Sequence, residues 1–306
     1  MAPKKLGTED LNGPLTERGL ADEKSYLGTR GWSSRPSARF VTAMDYPVQT
    51  KDGRITVRLY RPRGGTMLST HVHLHGGGFW MGSVTGDDPL CRWYVQAVGC
   101  AVASVEYRLA PEHPYPTPPE DCYAALCWIA KNAQELGLDA SRISIGGISA
   151  GGALAAAVAL MARDRNGPSL IFQLLAVPVT DLTMSQPSVE TFGTGYGLTR
   201  ARLIEAYRYY LSDPIQAWEP YASPLLAPNL VGLPPAFVAT AEYDSLRDEG
   251  EAYARRLQEA GVPTQLYRYE ENLHSATYMT RLQPSSQIAI ADTCAALRSA
   301  HGLPSS

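Results

Sequence analysis

The stretch Arg142-Ile-Ser-Ile-Gly-Gly-Ile-Ser149-Ala-Gly-Gly152 decides the fold, because it places a serine between two glycines at the end of a short apolar run. A strand that turns sharply into a helix needs small residues beside the turn, since side chains at Gly147 and Gly151 would crowd the backbone. A serine at the apex of such a turn can be reached by a base. The stretch therefore predicts a strand, a nucleophile-bearing turn and a helix.

A second glycine-rich segment precedes this turn. His75 lies 74 positions before Ser149 and is followed by three glycines at 76–78. Because glycines leave the backbone uncovered, their N–H groups can approach a developing negative charge. The two segments together predict a nucleophile and an oxyanion hole.

Strand-like and helix-like segments alternate along the chain. Apolar runs predict strands at 55–60, 71–75, 101–105, 142–145, 170–177, 236–240 and 265–269. Helical periodicity predicts helices at 90–97, 118–136 and 245–260. This alternation is typical of an α/β fold with a mainly parallel central sheet flanked by helices. The 306 residues, 44% of them hydrophobic, suffice for one large domain with a substantial core.

Two regions interrupt this alternation, residues 1–40 and about 183–215. In the second region, Thr199 can cap a helix that carries Leu203 and Tyr207 on one side. We expect a helical cap built from both regions, over a catalytic domain spanning 41–306. The alternative is a disordered tail and a surface excursion.

The remaining members of a catalytic triad are expected at strand ends on the same sheet edge as Ser149, in the order serine, acid, histidine. Asp244 follows the predicted strand 236–240, and His274 follows the strand that ends near residue 269. We expect His274 to accept the serine proton and Asp244 to orient the imidazole. Three other acids compete for the role of Asp244, namely Glu242, Asp248 and Glu249.

Three histidines alternate on one predicted strand, which favours a rival interpretation as a zinc hydrolase: His71, His73 and His75. Such a site needs further histidine or carboxylate ligands close by, but glycines follow at 76–78. We therefore expect these histidines to pack and form hydrogen bonds, with no metal and no cofactor.

Composition excludes several classes of partner. The formal charge of −3 leaves no basic field for nucleic acid or an anionic membrane. Residues 143–162 carry no charge, but their glycine, alanine and serine content favours a buried strand and helix over a membrane span. Five cysteines without metal-like spacing, and an N-terminus without an apolar secretory core, indicate a reduced, cytoplasmic protein.

Four motifs resemble the hormone-sensitive-lipase-like family of α/β-hydrolase carboxylesterases. They are His-Gly-Gly-Gly-Phe-Trp at 75–80, Tyr-Arg-Leu-Ala-Pro-Glu-His-Pro at 107–114, the glycine-flanked serine at 146–152, and Asp-Ser-Leu-Arg-Asp-Glu-Gly at 244–250. The resemblance implies an α/β-hydrolase fold and hydrolysis of small carboxylic esters, with no cofactor. It also implies a homodimer as a possible assembly.

The same resemblance implies particular site residues. Ser149, Asp244 and His274 would form the triad, and the backbone N–H groups of Gly76, Gly77 and Ala150 would form the oxyanion hole. Four large side chains are expected to wall the substrate cleft: Phe79, Trp80, Tyr196 and Tyr207. A short acyl group should fit between them.

Three positions depart from the family pattern. Ile148 replaces an acidic residue, Ser245 replaces a proline, and Ser275-Ala276 replaces Gly-Phe. Two alternatives to an esterase also stay open. An amidase or deacetylase would use the same triad, whereas a ligand-binding protein of the same fold typically lacks the histidine that is present here as His274.

Overall fold

An eight-stranded sheet forms the centre of the computed structural model, which describes residues 40–274 and 284–304. The strands are β1 (Val41–Thr50), β2 (Gly53–Pro62), β3 (Leu68–Leu74), β4 (Ala101–Glu106), β5 (Leu138–Ile148), β6 (Phe172–Ala176), β7 (Ala236–Tyr243) and β8 (Thr264–Leu273). Their order in space is β1-β2-β4-β3-β5-β6-β7-β8. Neighbours from β4 to β8 are parallel, while β1 with β2 and β2 with β4 are antiparallel.

All seven predicted strands are present, but the sequence analysis missed β1. This edge strand pairs with β2 over its whole length, from Val41 opposite Pro62 to Thr50 opposite Gly53. Most of its side chains are exposed, so it lacks the apolar run that identified the other strands. Its pairing with β2 through a tight turn decides its conformation.

Helices cover both faces of the sheet. They are α1 (Asp88–Val98), α2 (Thr117–Lys131), α3 (Ala150–Asp164), α4 (Ser188–Thr191), α5 (Arg200–Tyr210), α6 (Arg247–Glu259) and α7 (Pro284–Ala300). Buried residues of α1 and α7 form one apolar cluster with the sheet, and those of α2, α3 and α6 contribute to the other. The sheet therefore lies between two helical layers.

Helix α2 ends five residues before the predicted end at 136. The Asn132 side chain donates a 2.7 Å hydrogen bond to the Trp128 carbonyl, which also accepts from the Asn132 N–H at 3.0 Å. These bonds satisfy a carbonyl of the last helical turn, so the helix can stop there.

The uncharged run at 143–162 forms the central strand β5 and helix α3. Every residue from 150 to 162 is buried, because α3 packs closely against the sheet. A Cβ at Gly152 would lie only 2.9 Å from Pro178 Cβ, which shows how near the neighbouring loop approaches. Within 40–274 and 284–304, no helix is long and apolar enough to cross a membrane.

Residues 183–215, here called the cap segment, connect β6 to β7 and contain α4 and α5. Thr199 caps α5 as the sequence predicts, since its hydroxyl accepts a 3.2 Å hydrogen bond from the Arg202 N–H. Leu203 and Tyr207 are buried on the inner side of α5. The predicted N-terminal cap region, 1–40, lies outside the described residues except for its last position, and the cap itself stays a prediction.

Candidate active site

Ser149 occupies the turn between β5 and α3. Its backbone has φ +58° and ψ −119°, a conformation that is uncommon for a residue with a side chain. The turn passes very close to β3, because a Cβ at Gly147 would lie 2.4 Å from the Leu74 carbonyl oxygen and one at Gly151 only 2.0 Å from it. The two glycines are therefore required by space, and the turn presents the Ser149 hydroxyl at the carboxyl end of the central strand.

The structure brings Ser149, His274 and Asp244 into one hydrogen-bonded chain. His274 Nε2 lies 2.9 Å from Ser149 Oγ, and His274 Nδ1 lies 2.8 Å from Asp244 Oδ2. Asp244 is 1% exposed. Because a carboxylate accepts from Nδ1–H, Nε2 is left without a hydrogen and can accept the serine proton. Their catalytic roles stay a prediction.

The competing acids have other partners. Glu249 is buried, and its Oε1 accepts hydrogen bonds from the backbone N–H groups of Thr180 and Asp181 at 2.6 and 3.1 Å. Glu242 accepts from the Glu271 N–H at 2.8 Å, and Asp248 pairs with Arg247. Of these four acids, Asp244 alone is hydrogen-bonded to His274 among the described residues. Burial raises the pKa of Glu249 well above its usual value.

The glycine loop after β3 lies beside the nucleophile. A Cβ at Gly76 would be 2.8 Å from the Ile148 carbonyl oxygen and 3.6 Å from Ser149 Cβ. Gly77 has φ +124°, and a Cβ there would meet the Met81 carbonyl oxygen at 2.1 Å. Within the described part of the chain, no hydrogen-bond acceptor is recorded for the N–H groups of Gly76, Gly77 or Ala150. These three donors are available to a ligand next to Ser149, as an oxyanion hole requires.

Two residues orient the peptide planes of this loop. The sequence analysis expected packing and hydrogen bonds of His75 but assigned no such role to Tyr107. Tyr107 Oη donates a 2.8 Å hydrogen bond to the His75 carbonyl, and His75 Nδ1 donates one of 2.9 Å to the Gly76 carbonyl. In a trans peptide the C=O and the following N–H point in opposite directions. Anchoring these two carbonyls therefore aims the N–H groups of Gly76 and Gly77 away from them.

The imidazole of His75 stacks on the ring of Tyr107, with centroids 4.2 Å apart and planes 13° apart. Both side chains are buried, and desolvation lowers the pKa of His75. The neutral ring carries its hydrogen on Nδ1, since the Gly76 carbonyl is an acceptor. The signal for this pair was Tyr107 in the motif at 107–114, which the fold places next to His75.

The other two strand histidines also have partners of their own. His73 Nε2 lies 2.8 Å from Asp87 Oδ2. His71 Nδ1 lies 2.8 Å from Ser144 Oγ, which is also 2.8 Å from His301 Nε2. This second serine is fully buried, so it cannot meet a substrate and is distinct from the Ser149 site. Counting only residues that the structure describes, no group of three or more His, Cys, Asp or Glu side chains is arranged to hold a metal ion.

The predicted pocket residues differ in exposure. Phe79 and Tyr207 are each 1% exposed and Trp80 is 2% exposed, whereas Tyr196 is 37% exposed. Trp80 packs against Tyr209 of α5, with ring centroids 5.1 Å apart. The buried members support the shape of the loop and cap segment, and contact between these four side chains and a substrate stays a prediction.

Two of the three departures from the family pattern lie among the residues that the structure describes. Ile148 is 3% exposed and belongs to the apolar cluster under α1 and α7. A carboxylate at this position would be buried among hydrophobic side chains. Ser245 is fully buried, and its hydroxyl donates to the Leu198 carbonyl at 2.8 Å. Residues 275 and 276 lie outside the described residues.

Known proteins resemble this chain in sequence and in fold. A family model described as alpha/beta hydrolase fold matches residues 71–278. An arylesterase of Saccharolobus solfataricus is 41% identical over 232 residues, 76% of each chain. Carboxylic ester hydrolase LipN of Mycobacterium tuberculosis is 39% identical over 264 residues, 84% of this chain and 70% of that protein.

A solved structure of an ester hydrolase also resembles this chain in fold. The ester hydrolase EH1AB1 from the metagenome of Lake Arreo, complexed with a derivative of bipyridine phosphonate, superposes with a TM-score of 0.87 at 36% identity. The match covers 98% of this chain and 94% of that one.

Proposed function

The chain belongs to the hormone-sensitive-lipase-like carboxylesterases of the α/β-hydrolase fold, and from this premise we propose that it cleaves small carboxylic esters with Ser149, His274 and Asp244. The predicted family, fold class and hydrolase activity on ester bonds are confirmed. The observation that carries the residue assignment is the hydrogen-bonded chain from Ser149 Oγ through the imidazole to the buried Asp244 carboxylate.

Acylation begins at Ser149. As its Oγ attacks the ester carbonyl carbon, the hydroxyl proton passes to His274 Nε2, and Asp244 stabilises the imidazolium that forms. The carbonyl oxygen becomes an anion that the N–H groups of Gly76, Gly77 and Ala150 stabilise. The tetrahedral intermediate then expels the alcohol, which takes the proton from Nε2, and an acyl-Ser149 ester remains.

Deacylation repeats these steps with water. His274 Nε2 accepts a proton from the water molecule, whose oxygen attacks the acyl carbon. The same oxyanion donors stabilise the second intermediate. Its collapse returns the proton to Ser149 Oγ and releases the carboxylic acid.

The cap segment supports a preference for short acyl groups. Helix α5 packs on the turn after the glycine loop, where Phe79 stacks on Tyr210 and Trp80 contacts Tyr209. Rigid aromatic packing limits how far this side of the cleft can widen. A domain organisation with a catalytic domain at 41–306 and a cap that includes 183–215 is part of this proposal.

Location and assembly belong to the proposal as well. All five cysteines are free thiols, four of them buried, which supports a reducing, cytoplasmic environment. Strand β8 lies at the end of the described sheet, next to β7, which supports pairing of two copies along this edge.

Turnover of p-nitrophenyl esters from acetyl to dodecanoyl, beside matched p-nitroanilides, tests the proposed function. We expect ester hydrolysis, little anilide hydrolysis, and loss of activity when a p-nitrophenyl phosphonate modifies Ser149. Mass spectrometry should locate the adduct on the peptide that contains Ser149, and Ser149→Ala should remain unmodified.

Treatment with a chelator distinguishes the serine esterase from the rival interpretation as a zinc hydrolase. A serine nucleophile with its own base needs no Lewis acid, so EDTA should leave activity unchanged. Loss with EDTA and recovery with zinc, together with no phosphonate adduct, would contradict the assignment.

A further inference from the structure

The turn that carries Asp244 is bonded to the cap segment through buried serine hydroxyls. Ser245, the next residue, donates its hydroxyl to the Leu198 carbonyl at 2.8 Å. Its own carbonyl accepts a 2.8 Å hydrogen bond from the hydroxyl of Ser188. Both serines are fully buried. Water therefore cannot replace either bond, and each ties the two segments together in one geometry.

The Ser188 hydroxyl makes a second bond on the same side. It accepts a 3.1 Å hydrogen bond from the Asp248 N–H, in the first turn of α6. The first N–H groups of a helix lack partners inside the helix, so a side chain from another segment can satisfy them. One hydroxyl of the cap segment therefore joins the start of α6 to the carbonyl of Ser245.

Aromatic contacts reinforce this junction on the other side of Asp244. The ring of Tyr243 packs against Phe192 and Tyr196 of the cap segment, with centroids 6.0 and 5.5 Å away. The guanidinium of Arg247 lies 4.8 Å from the centroid of the Phe192 ring. The residues on both sides of Asp244 thus contact the cap segment.

The carboxylate of Asp244 follows the position of its turn. Its Oδ1 accepts a 2.9 Å hydrogen bond from the Leu246 N–H, within the turn itself, while Oδ2 holds His274. A displacement of the turn therefore displaces the carboxylate relative to the imidazole. Small errors of this kind slow a reaction strongly, because the serine, the imidazole and the substrate must be aligned together.

We propose that Ser245 and Ser188 are positioning residues, and that docking of the cap segment through their hydroxyls holds Asp244 in the geometry that His274 requires. This inference rests on the triad of the proposed function. It makes the cap segment part of the machinery that sets the reaction rate, in addition to a wall of the cleft.

Glu249 provides a separate anchor from the sheet side, through the N–H groups of Thr180 and Asp181. If this anchor alone fixed the turn, removal of either serine hydroxyl would leave the rate unchanged. The role of the serines is therefore open to a direct test.

The test is a double-mutant cycle with Asp244. We expect Ser245→Ala to lower kcat on p-nitrophenyl butyrate by about tenfold, with KM changed by less than about twofold. In the Asp244→Asn background, Ser245→Ala should change kcat by less than about twofold, because the residue acts through the carboxylate that is already missing. A general structural role would lower kcat by the same factor in both backgrounds.

Ser188→Ala is the second arm, and it should show the same loss and the same dependence on Asp244. Thr191→Ala is the matched control, since its hydroxyl bonds to the Pro187 carbonyl within the cap segment. That variant should keep the wild-type kcat. Thermal unfolding measures whether each variant is folded, and phosphonate titration measures its active fraction. If Ser245→Ala folds poorly, the result for Ser188→Ala decides the test.

Equal losses in both backgrounds, or no loss in either serine variant, would overturn the inference. These outcomes differ from a failure of the proposed function. In that case the wild-type protein would not hydrolyse esters, or Ser149→Ala would retain full activity.

Discussion

The ring of Phe79 lies nearly parallel to that of Tyr210, with centroids 3.8 Å apart and planes 10° apart. Phe79 follows the glycines at 76–78, and Tyr210 is the last residue of helix α5 in the cap segment. Both rings are buried. The loop that we propose as the source of the oxyanion donors and the helix that packs on it therefore share one contact, and a change in either should alter the proposed cleft.

Acyl-chain preference should follow from this packing. Each methylene gains about 0.8 kcal/mol while it can be buried, so kcat/KM should rise from acetyl to butyryl or hexanoyl esters and then fall. Tyr210→Leu should move the maximum toward longer chains by opening the stack. Initial rates on a p-nitrophenyl ester series measure both profiles, and a wild-type maximum beyond about twelve carbons would contradict the expected wall.

Loss of the nucleophile should nearly abolish turnover. Ser149→Ala should lower kcat by about 10⁶-fold, and His274→Ala should be almost as severe, because triad residues act as a unit. Both variants should unfold near the wild-type temperature, as measured by circular dichroism. Full ester turnover by Ser149→Ala free of wild-type enzyme would mean that another residue is the nucleophile.

Tyr107→Phe should impair catalysis more than binding. The substitution keeps the ring that stacks on His75 but removes the hydroxyl that anchors the His75 carbonyl. A misaligned Gly76 N–H should lower kcat by up to about 10²-fold with little change in KM. Steady-state kinetics check this expectation.

Tyr253→Phe is the control for that substitution. Tyr253 is buried in α6, and no partner is recorded for its hydroxyl within the described part of the chain. The kcat of Tyr253→Phe should match that of the wild-type protein. If Tyr107→Phe also matched the wild type, the hydroxyl would have no part in orienting the loop.

Acid should destabilise the fold through the buried cluster of His71, Ser144 and His301. Desolvation lowers the pKa of His301 to about 4, and burial holds the pKa of His71 well below its usual value. The unfolded chain therefore binds protons that the folded one does not as pH falls below about 6.5. The contribution of this cluster to the free energy of unfolding is therefore fully present above about pH 6.5. It is lost as the pH falls toward 4, by about 3 kcal/mol from His301 alone.

Urea unfolding at pH 7 and pH 4 measures this loss. His301→Gln should reduce the difference in unfolding free energy between the two pH values, because the amide does not titrate. An equal pH dependence in wild type and His301→Gln would show that His301 makes no contribution.

The amino-acid sequence by itself determined the fold class and the glycine-flanked turn at Ser149. Both depend on local chemistry, since apolar runs alternate with helical periodicity and only glycine fits beside Ser149. The sheet edge that Ser149, Asp244 and His274 share was also predictable, because parallel strands deliver their following loops to one edge of the sheet.

Tertiary structure decided what depends on distant partners. His274 meets Ser149 across 125 positions, and Ser144 bonds to His301 across 157. His301 lies near the end of the chain, yet its side chain is buried against β5. Likewise, β1 has no apolar run of its own, and the bonds of Ser188 and Ser245 join segments that no periodicity links. Such contacts form only when the sheet and cap segment pack together, because a hydroxyl or an imidazole carries no local signal of its partner.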